Sequence, residues 1–167
     1  DLLEWMMGDV ESVFAKSMTA LVDIEAEDTA VVLLKFRSGA LGLIEATTAT
    51  RPKDIEGSIS ILGEHGTVEI GGFAVNEMKV WQFEPGLPAD DEVMRRYSVN
   101  PPSVYGFGHQ AYYEHVVDCI TNDRHHLVDG LEGRRSLELI SAIYESVETG
   151  REVNLRFVPN LCRLGQR

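Results

Sequence analysis

The sequence predicts an α+β fold: an open, largely antiparallel mixed β-sheet with helices packed on one face. Strand patterns dominate from about residue 10 to residue 84, and two helical patterns follow at about 108–122 and 131–149. A run of strands followed by a run of helices is typical of α+β domains, whereas strict alternation would indicate a parallel sheet. The chain has 167 residues, 44% of them hydrophobic, which is enough for one compact domain with its own core.

The first elements are a short helix and a strand. Residues 1–7 have apolar side chains at helical spacing, with Asp1 and Glu4 as a candidate capping box and Gly8 as a stop. Residues 10–21 form the first candidate strand.

Two hairpins and three further strands are predicted next. Residues 28–36 and 40–50 flank a turn at Ser38-Gly39, which indicates a hairpin. The remaining strand candidates are 57–63 with 66–72 as a second hairpin, 77–84, a short strand near 95–99 within the proline-rich loop 85–106, and a last strand at 152–157.

Each of the two long helices has an apolar stripe. The helix at 131–149 has Asp129 and Glu132 placed for a capping box and Gly150 as its stop. The stripes expected to face the core are Tyr112, Val116, Cys119 and Ile120 on the first helix, and Leu137, Ile140, Tyr144 and Val147 on the second.

One strand is apolar on both of its faces. Val32 and Leu34 alternate with Val31 and Leu33, whereas a strand with one solvated face would alternate with polar residues. The face away from the helices is therefore predicted to be buried against another subunit, in a homodimer or homotetramer.

Composition excludes several classes of function. The formal net charge of -12 disfavours DNA and RNA as partners. No apolar run is long enough for a membrane span, and no basic region precedes an apolar run, so a secretory signal is not expected. The two cysteines have no C-x-x-C spacing, which excludes a zinc ribbon and fits a cytoplasmic protein. No metal site is predicted.

The stretch "YGFGHQAYYEHVVD" contains a glycine motif, Gly106-Phe-Gly108-His-Gln-Ala111, that fits the dinucleotide fingerprint. The residues before it, "NPPSV", are not an apolar strand, and the helix after it leads into a loop. A dinucleotide cradle requires both flanking strands, so no cofactor-binding residue is predicted here. His115 is predicted to be a surface histidine near an acid.

The candidate site residues each have a second interpretation. His109, at the start of a helix behind a glycine-containing loop, is either a pocket wall or a partly buried structural histidine. Thr47 lies where a strand runs into a polar segment that ends at Arg51 and could border a pocket. The Arg51 guanidinium suits a phosphate or carboxylate, but an arginine at such a position is also commonly just a surface charge. Glu45 lies in a strand whose other residues are apolar or small. It either pairs with a buried base or lines a pocket, or it simply occupies an edge or interface position.

Five stretches of the chain form a recognisable series in their order and spacing: "DLLEWMMGDVESV", "EDTAVVLLKFRSGALGLIEATTA", "ILGEHGTVEI", "YGFGHQAYYEHVVDCI" and "LVDGLEGRRSLELISAIYESVETGREV". Together they resemble the C-terminal domain of the Gfo/Idh/MocA oxidoreductases, nearest the branch that oxidises UDP-linked sugar acids at C3. The resemblance covers about residues 10–157. It implies residues 1–157 as a substrate-binding and oligomerisation domain, with 158–167 as a tail.

The resemblance also implies an N-terminal Rossmann domain that binds NAD or NADP and transfers hydride to or from a sugar carbon. Asp1 would match only the last residue of the family's D-x-x-x-H-x-x-D segment, so the catalytic Asp and His are expected upstream. This chain alone is therefore expected to be inactive and to bind no cofactor. The resemblance places the Thr47–Arg51 and Tyr105–His109 segments on the substrate side. Thr47, Arg51, Tyr105 and His109 are therefore the predicted contacts for a sugar or sugar-nucleotide substrate.

Two other classes of function compete with this one. The first is a non-enzymatic domain that binds a small ligand or drives assembly. The second is a free-standing hydrolase or isomerase with a pocket of His109, Glu45 and Arg51.

Overall fold

The structure is a computed structural model, and it describes residues 1–55, 57–86, 88–103 and 105–156. Its elements in chain order are α1 (Leu2–Met7), β1 (Val10–Met18), β2 (Thr29–Phe36), β3 (Leu41–Thr47), β4 (Ile59–Gly63), β5 (Gly66–Gly71), β6 (Glu77–Phe83), α2 (Asp90–Arg96), α3 (Gly108–Thr121), α4 (Gly130–Thr149) and β7 (Val153–Asn154). The predicted α+β class is confirmed, because antiparallel strands come first and the two long helices follow.

The chain forms two compact units. Asp1–Arg51 and the chain from Leu127 onward make the first, called the terminal unit below, and Pro52–His126 make the second, called the middle unit. The terminal unit has a sheet in the order β3-β2-β1-β7, and the middle unit has a sheet in the order β4-β5-β6. Every strand pair among the described residues is antiparallel. The sequence predicted one sheet; two form because the second hairpin pairs with β6 alone.

In the terminal unit the sheet buries one face beneath α4. Val13 and Ala15 of β1 lie opposite Leu34 and Val32 of β2 in register, and all four are at most 3% exposed. Phe36 at the end of β2 is 1% exposed and completes the sheet side of the core. The alternation that the sequence showed in β2 therefore separates a buried face from an exposed one.

The face of α4 that packs on the sheet is not the predicted stripe. Leu139, Ala142 and Ser146 are buried, whereas Leu137 and Ile140 are 59% and 51% exposed. Tyr144 is likewise 45% exposed, and only Val147 of the predicted set packs on the core.

The Ser146 hydroxyl explains this orientation. It accepts a hydrogen bond from the Ala15 N–H at 2.9 Å and donates one to the Arg151 carbonyl at 2.6 Å. A buried N–H on β1 needs a partner, and a small residue lets α4 approach closely enough for its hydroxyl to supply one.

One of the two predicted helix caps is confirmed. The Asp129 carboxylate accepts from the N–H groups of Leu131 and Glu132 at 2.8 and 3.0 Å, and Gly150 ends α4 with φ 67°. The prediction for Asp1 is wrong, because its side chain makes no capping hydrogen bond and instead accepts one from the Ser136 hydroxyl on α4.

The prediction of a strand near residues 95–99 is wrong, because residues 90–96 form the helix α2. Its first turn carries Asp90, Asp91 and Glu92, and its last turn carries Arg95 and Arg96. Acids at the N-terminus and bases at the C-terminus of a helix complement its dipole. This charge order was a helix signal that the surrounding prolines obscured.

The first and last strands of the chain, β1 and β7, are shorter than predicted. The first strand ends at Met18 rather than residue 21, and the last covers Val153–Asn154 of the predicted 152–157. Residue 157 and the predicted tail at 158–167 lie outside the described residues.

Asp28 accounts for the early end of β1. Its carboxylate is buried, and one oxygen accepts hydrogen bonds from the consecutive N–H groups of Ala20, Leu21 and Val22 at 2.9, 2.6 and 2.9 Å. The Thr29 hydroxyl donates to the other oxygen at 3.0 Å. Three backbone donors turned toward one carboxylate cannot also serve a strand ladder.

We expect Asp28 to make stability depend on pH. The N–H donors of Leu21, Val22 and Ala20 stabilise the charged form and hold the pKa of Asp28 well below its ordinary value of 3.8. A carboxyl with a lowered folded-state pKa stabilises the fold above its ordinary pKa and loses that contribution as the pH falls. Urea unfolding between about pH 6 and pH 3 should therefore show falling stability, and Asp28→Asn should flatten that slope and lower the melting temperature by roughly 5 °C.

The matched control for that experiment is Asp23→Asn, an exposed carboxyl in the loop that Asp28 fastens. It removes the same charge from the same loop and should leave the pH slope unchanged. An equal flattening in both variants would contradict the role assigned to Asp28.

Candidate functional site

The predicted site residues fall into two groups, one in each unit. Thr47 and Arg51 belong to the terminal unit, at the end of β3 and in the segment after it. Tyr105 and His109 belong to the middle unit, at the start of α3.

In the terminal unit, local hydrogen bonds shape the segment after β3. The Thr47 hydroxyl lies 3.0 Å from the Thr29 hydroxyl across the strand pair and accepts from the Ala49 N–H at 3.0 Å. The Thr48 N–H donates to the Asp28 carbonyl at 2.8 Å. These bonds turn the chain away from the ladder and fix the direction in which residues 48–51 leave the sheet.

Arg51 is exposed, and its guanidinium donates to the Thr50 carbonyl at 2.8 Å. That bond occupies one of the five guanidinium donors. No described residue accepts from the others. They can therefore serve a phosphate or carboxylate, which a guanidinium binds with two parallel hydrogen bonds. The geometry permits the predicted anion contact.

In the middle unit, Tyr105 and His109 do come together. Their rings meet edge to face, with centroids 6.0 Å apart and planes at 82°. Gly106 between them has φ 66°, a conformation that favours glycine, and it folds the loop so that the tyrosine reaches the first turn of α3. Tyr105 is 74% exposed and Phe107 is 62% exposed, so the start of α3 presents an aromatic surface.

The surroundings of His109 differ from the prediction. The histidine is exposed, and of the expected stripe on α3 only Cys119 is buried. Tyr112 and Ile120 are 51% and 72% exposed. His109 therefore does not lie on a buried helix face, because α3 buries little of its surface.

His115 was predicted to be a surface histidine and is instead half-buried. Its Nε2 lies 3.5 Å from the Cys119 sulfur, and that thiol also lies 3.4 Å from the His125 carbonyl. The spacing of four residues places the ring directly over the thiol on one helix face.

The glycine motif at the start of α3 does not fit a dinucleotide. The described residues 98–103 form no strand, and α3 is followed by a loop and then α4. The pyrophosphate site of a dinucleotide fold requires a strand that leads directly into the glycine turn. Within the described ranges, no group of three His, Cys, Asp or Glu side chains is arranged to hold a metal ion, and no helix there is long and apolar enough to cross a membrane.

Sequence reasoning missed a buried carboxyl next to the start of the chain. Glu4 on α1 is 7% exposed, and its Oε2 has no hydrogen-bond partner among the described residues. Burial raises the pKa of Glu4, and the nearby Arg135 guanidinium opposes that rise. Arg135 itself bonds Asp9 and Glu132. The sequence of residues 1–7 indicated only a helix cap for Glu4. Its burial could not be predicted, because it depends on how α1 packs on the rest of the terminal unit.

Comparison with known proteins gives the family. The model of the oxidoreductase family C-terminal alpha/beta domain, GFO_IDH_MocA_C, matches residues 1–155. This chain belongs to the Gfo/Idh/MocA family. The resemblance seen in the sequence is thereby confirmed.

Two solved structures of this family are similar to the chain at 44–46% identity. The WlbA dehydrogenase from Bordetella pertussis, in complex with NADH and UDP-GlcNAcA, is 46% identical, with a TM-score of 0.85, over 94% of this chain and 45% of that one. The WlbA dehydrogenase from Chromobacterium violaceum, in complex with the same two ligands, is 44% identical, with a TM-score of 0.83, over 94% of this chain and 43% of that one.

A curated relative is more distant. The D-apiose dehydrogenase of Rhizobium rhizogenes is 25% identical over 93% of this chain and 46% of its own length. The chain thus spans less than half the length of each of these Gfo/Idh/MocA relatives.

Proposed function

We propose that this chain is the substrate-binding and oligomerising domain, residues 1–157, of an NAD(P)-dependent dehydrogenase that oxidises a CH–OH group of a sugar nucleotide. The observation that carries the proposal is the 46% identity, over 94% of the chain, to a dehydrogenase crystallised with NADH and UDP-GlcNAcA. A UDP-linked N-acetylated sugar acid is accordingly the substrate we propose. We further propose that the catalytic acid–base residues and the cofactor site lie outside this chain, in a further part of the full-length protein.

The chemistry of such a substrate fits the candidate residues. A UDP-linked sugar acid carries a diphosphate and a carboxylate, while this chain has a net charge of -12. Binding an anion on such a surface requires a local cation. Arg51 is such a cation, and its guanidinium has N–H donors beyond the one that bonds Thr50. The exposed rings of Tyr105 and His109 offer apolar and hydrogen-bonding contact for a sugar or base.

Turnover by the complete protein tests this proposal. The full-length protein with NAD and UDP-GlcNAcA should produce reduced nicotinamide, and the 167-residue chain under the same conditions should produce none. Turnover by the short chain alone would overturn the assignment. If the full-length protein neither turned over nor bound the nucleotide sugar in calorimetry, the non-enzymatic alternative would replace it.

We expect Arg51→Ala, in the full-length protein, to raise KM for UDP-GlcNAcA by about 10- to 100-fold, because a charge-assisted hydrogen bond contributes roughly 1.5–3 kcal/mol. The turnover number should change little, since an anion contact remote from the reacting carbon is made equally in the ground and transition states. Initial-rate kinetics give both parameters. Arg37→Ala, at the exposed turn between β2 and β3, removes the same charge and should leave KM within about twofold. Equal KM values for the two variants would remove Arg51 from the site.

The partner that the terminal unit requires is, we propose, a second copy of the chain, in a homodimer or homotetramer. The residues of β1, β2 and β3 that point away from α4, called the open sheet face below, include a contiguous set of apolar side chains. Those that are exposed are Val31 at 43%, Leu33 at 54%, Leu41 at 80% and Leu43 at 60%. Large exposed apolar surfaces on a folded protein mark interaction sites, and an apolar sheet face is covered by stacking a second sheet on it.

A further inference from the structure

One of the side chains with which α1 packs on the terminal unit is a carboxyl. Leu3, Glu4 and Met7 lie on the same side of the helix, since residues three and four apart are neighbours on a helix surface. Leu3 and Met7 pack against the core, and Glu4 beside them is 7% exposed. The Glu4 Oε2 is buried without a hydrogen-bond partner among the described residues. An apolar side chain would pack here without the cost of burying a polar group, so the carboxyl needs a functional explanation.

The charges around Glu4 do little to stabilise its ionised form. They are the amino group of Asp1, the guanidinium of Arg135 and the carboxylates of Asp9 and Glu132. Arg135 on α4 already binds both Asp9 and Glu132, which neutralise much of its charge. In the full-length protein proposed above, a peptide bond replaces the Asp1 amino group. The pKa of Glu4 lies above its ordinary value of 4.5, chiefly because burial disfavours the charged form.

The helix α1 depends on its packed face to stay in place. It has six residues, and a helix of that length is not stable in water without packing. At its start the Ser136 hydroxyl of α4 donates to the Asp1 carboxylate, and just past its end Arg135 binds Asp9. Between these two points, the helix is held by the side chains of its packed face. A charge that appears on this face therefore acts on a helix with few other attachments.

Ionisation of Glu4 places an unpaired carboxylate beneath α1. A buried carboxylate without a partner is strongly unfavourable. Pairing it with Arg135 requires that the guanidinium give up its bonds to Asp9 and Glu132. Hydrating it requires only that a six-residue helix turn its packed face to solvent. Release of α1 is therefore the less costly response.

We propose that Glu4 is a proton-controlled latch: α1 packs on the terminal unit while the Glu4 carboxyl is neutral, and α1 is released when that carboxyl ionises. On release the proton passes to water and the carboxylate becomes hydrated. Packing of α1 is strongest below pH 4.5, where the carboxyl is neutral in both forms, and it is lost as the pH rises through the higher pKa of the packed form. Asp28 acts in the opposite direction, because its contribution is lost as the pH falls.

Hydrogen exchange over a pH series tests the latch in the full-length protein. The reporting amides are those of Trp5 and Gly8, which donate to the carbonyls of Asp1 and Glu4 at 2.8 and 2.9 Å. Labelling pulses are scaled to the intrinsic exchange rate at each pH. Protection of these amides should fall by up to about tenfold per pH unit above pH 4.5, until the pKa of the packed form is passed. Constant protection from pH 4.5 to about pH 8 would overturn the proposal.

Variants separate the latch from a merely structural role. Glu4→Gln keeps the size of the side chain but cannot ionise, so α1 should stay protected at every pH. Arg135→Gln removes a cation and should move the loss of protection to higher pH, whereas Asp9→Asn removes a carboxylate and should move it to lower pH. Both break the same ion pair, so shifts in the same direction would contradict the latch. Glu148→Gln, on the exposed surface of α4, is the control and should cause no shift.

A consequence for turnover rests on the proposed function. The catalytic residues are expected just upstream of Asp1, so release of α1 should displace them and lower kcat, while KM for UDP-GlcNAcA stays constant. Dividing kcat of the wild type by kcat of Glu4→Gln at each pH cancels the pH dependence of the chemical step, and this ratio should fall as the pH rises above 4.5. A constant ratio beside pH-dependent protection would overturn this positioning role and support the latch alone. Absence of turnover in both proteins would overturn the proposed function, which the exchange measurement does not require.

Discussion

Phe36→Ala should be the most destabilising single substitution in the terminal unit, lowering the free energy of unfolding by about 4 kcal/mol. Phe36 is 1% exposed and packs with Val10 and Leu34 in the core. Its ring also fills the space above Gly42, where a Cβ would lie only 3.0 Å from a ring carbon. Backbone on one side and packed strands on the other leave little freedom for the cavity to collapse, so the loss should approach the upper part of the range for such truncations.

Urea unfolding followed by circular dichroism measures this loss, and hydrogen exchange at the amides of β1 and β2 assigns it to the terminal unit. Phe107→Ala removes the same side chain from a position that is 62% exposed and should cost less than about 0.5 kcal/mol. Similar losses in the two variants would mean that Phe36 is not packed as described.

Gly66→Ala should have a comparable effect on the middle unit, about 3 kcal/mol, which is the cost of severe overpacking. A Cβ at Gly66 would lie 2.4 Å from a carbon of the Phe83 ring and 2.5 Å from the carbonyl oxygen of Gln82. The ring can rotate away, but the carbonyl belongs to the β5–β6 ladder and cannot move without separating the strands. Loss of hairpin pairing is the expected consequence.

Trp81 reports on this event, because it is the register partner of Val68 on β5 and donates a hydrogen bond to Asp90 at 3.0 Å. In a Trp5→Phe background its fluorescence should show an earlier unfolding transition for Gly66→Ala. Gly63→Ala is the matched control on the other side of the same turn, where a Cβ would lie 3.4 Å from the nearest backbone atom, an ordinary contact. If Gly63→Ala were as destabilising as Gly66→Ala, intrinsic strand preference rather than the clash would explain both.

The sequence predicted the elements whose signals are local. Both hairpins occur where turn residues separate alternating runs, and α4 has the predicted Asp129 cap and Gly150 stop. Turn and cap preferences depend on the chemistry of four or five consecutive residues. The structure therefore confirms these features with boundaries that differ by only a few residues.

Predictions that required knowledge of packing were less accurate. The stripes assigned to α3 and α4 counted apolar residues, yet α4 packs through Leu139, Ala142 and Ser146. Apolar residues show that a helix face can be buried. When a helix has two such faces, they do not show which one packs on the sheet. The choice depended on a hydroxyl partner for the Ala15 N–H, and no periodicity reveals that.

For the candidate site, the sequence selected residue types, and the fold determined their surroundings. Tyr105 and His109 contact each other because Gly106 folds the loop. Arg51, by contrast, has only a local bond to Thr50 among the described residues. The roles proposed for these residues depend on a substrate and a cofactor domain beyond the chain's own contacts, and for this reason kinetic variants are the appropriate test.

By itself the sequence determined the α+β class, the family and the presence of two apolar faces on β2, because composition, order and period are properties of the chain. Only the tertiary structure decided that Val32 and Leu34 are buried while Val31 and Leu33 are exposed, and that Lys16 and Glu45 share a row with Val31. Cross-strand register and the side on which a helix packs arise from contacts between residues far apart in sequence. The open sheet face, and the assembly we infer from it, are consequences of that long-range pairing.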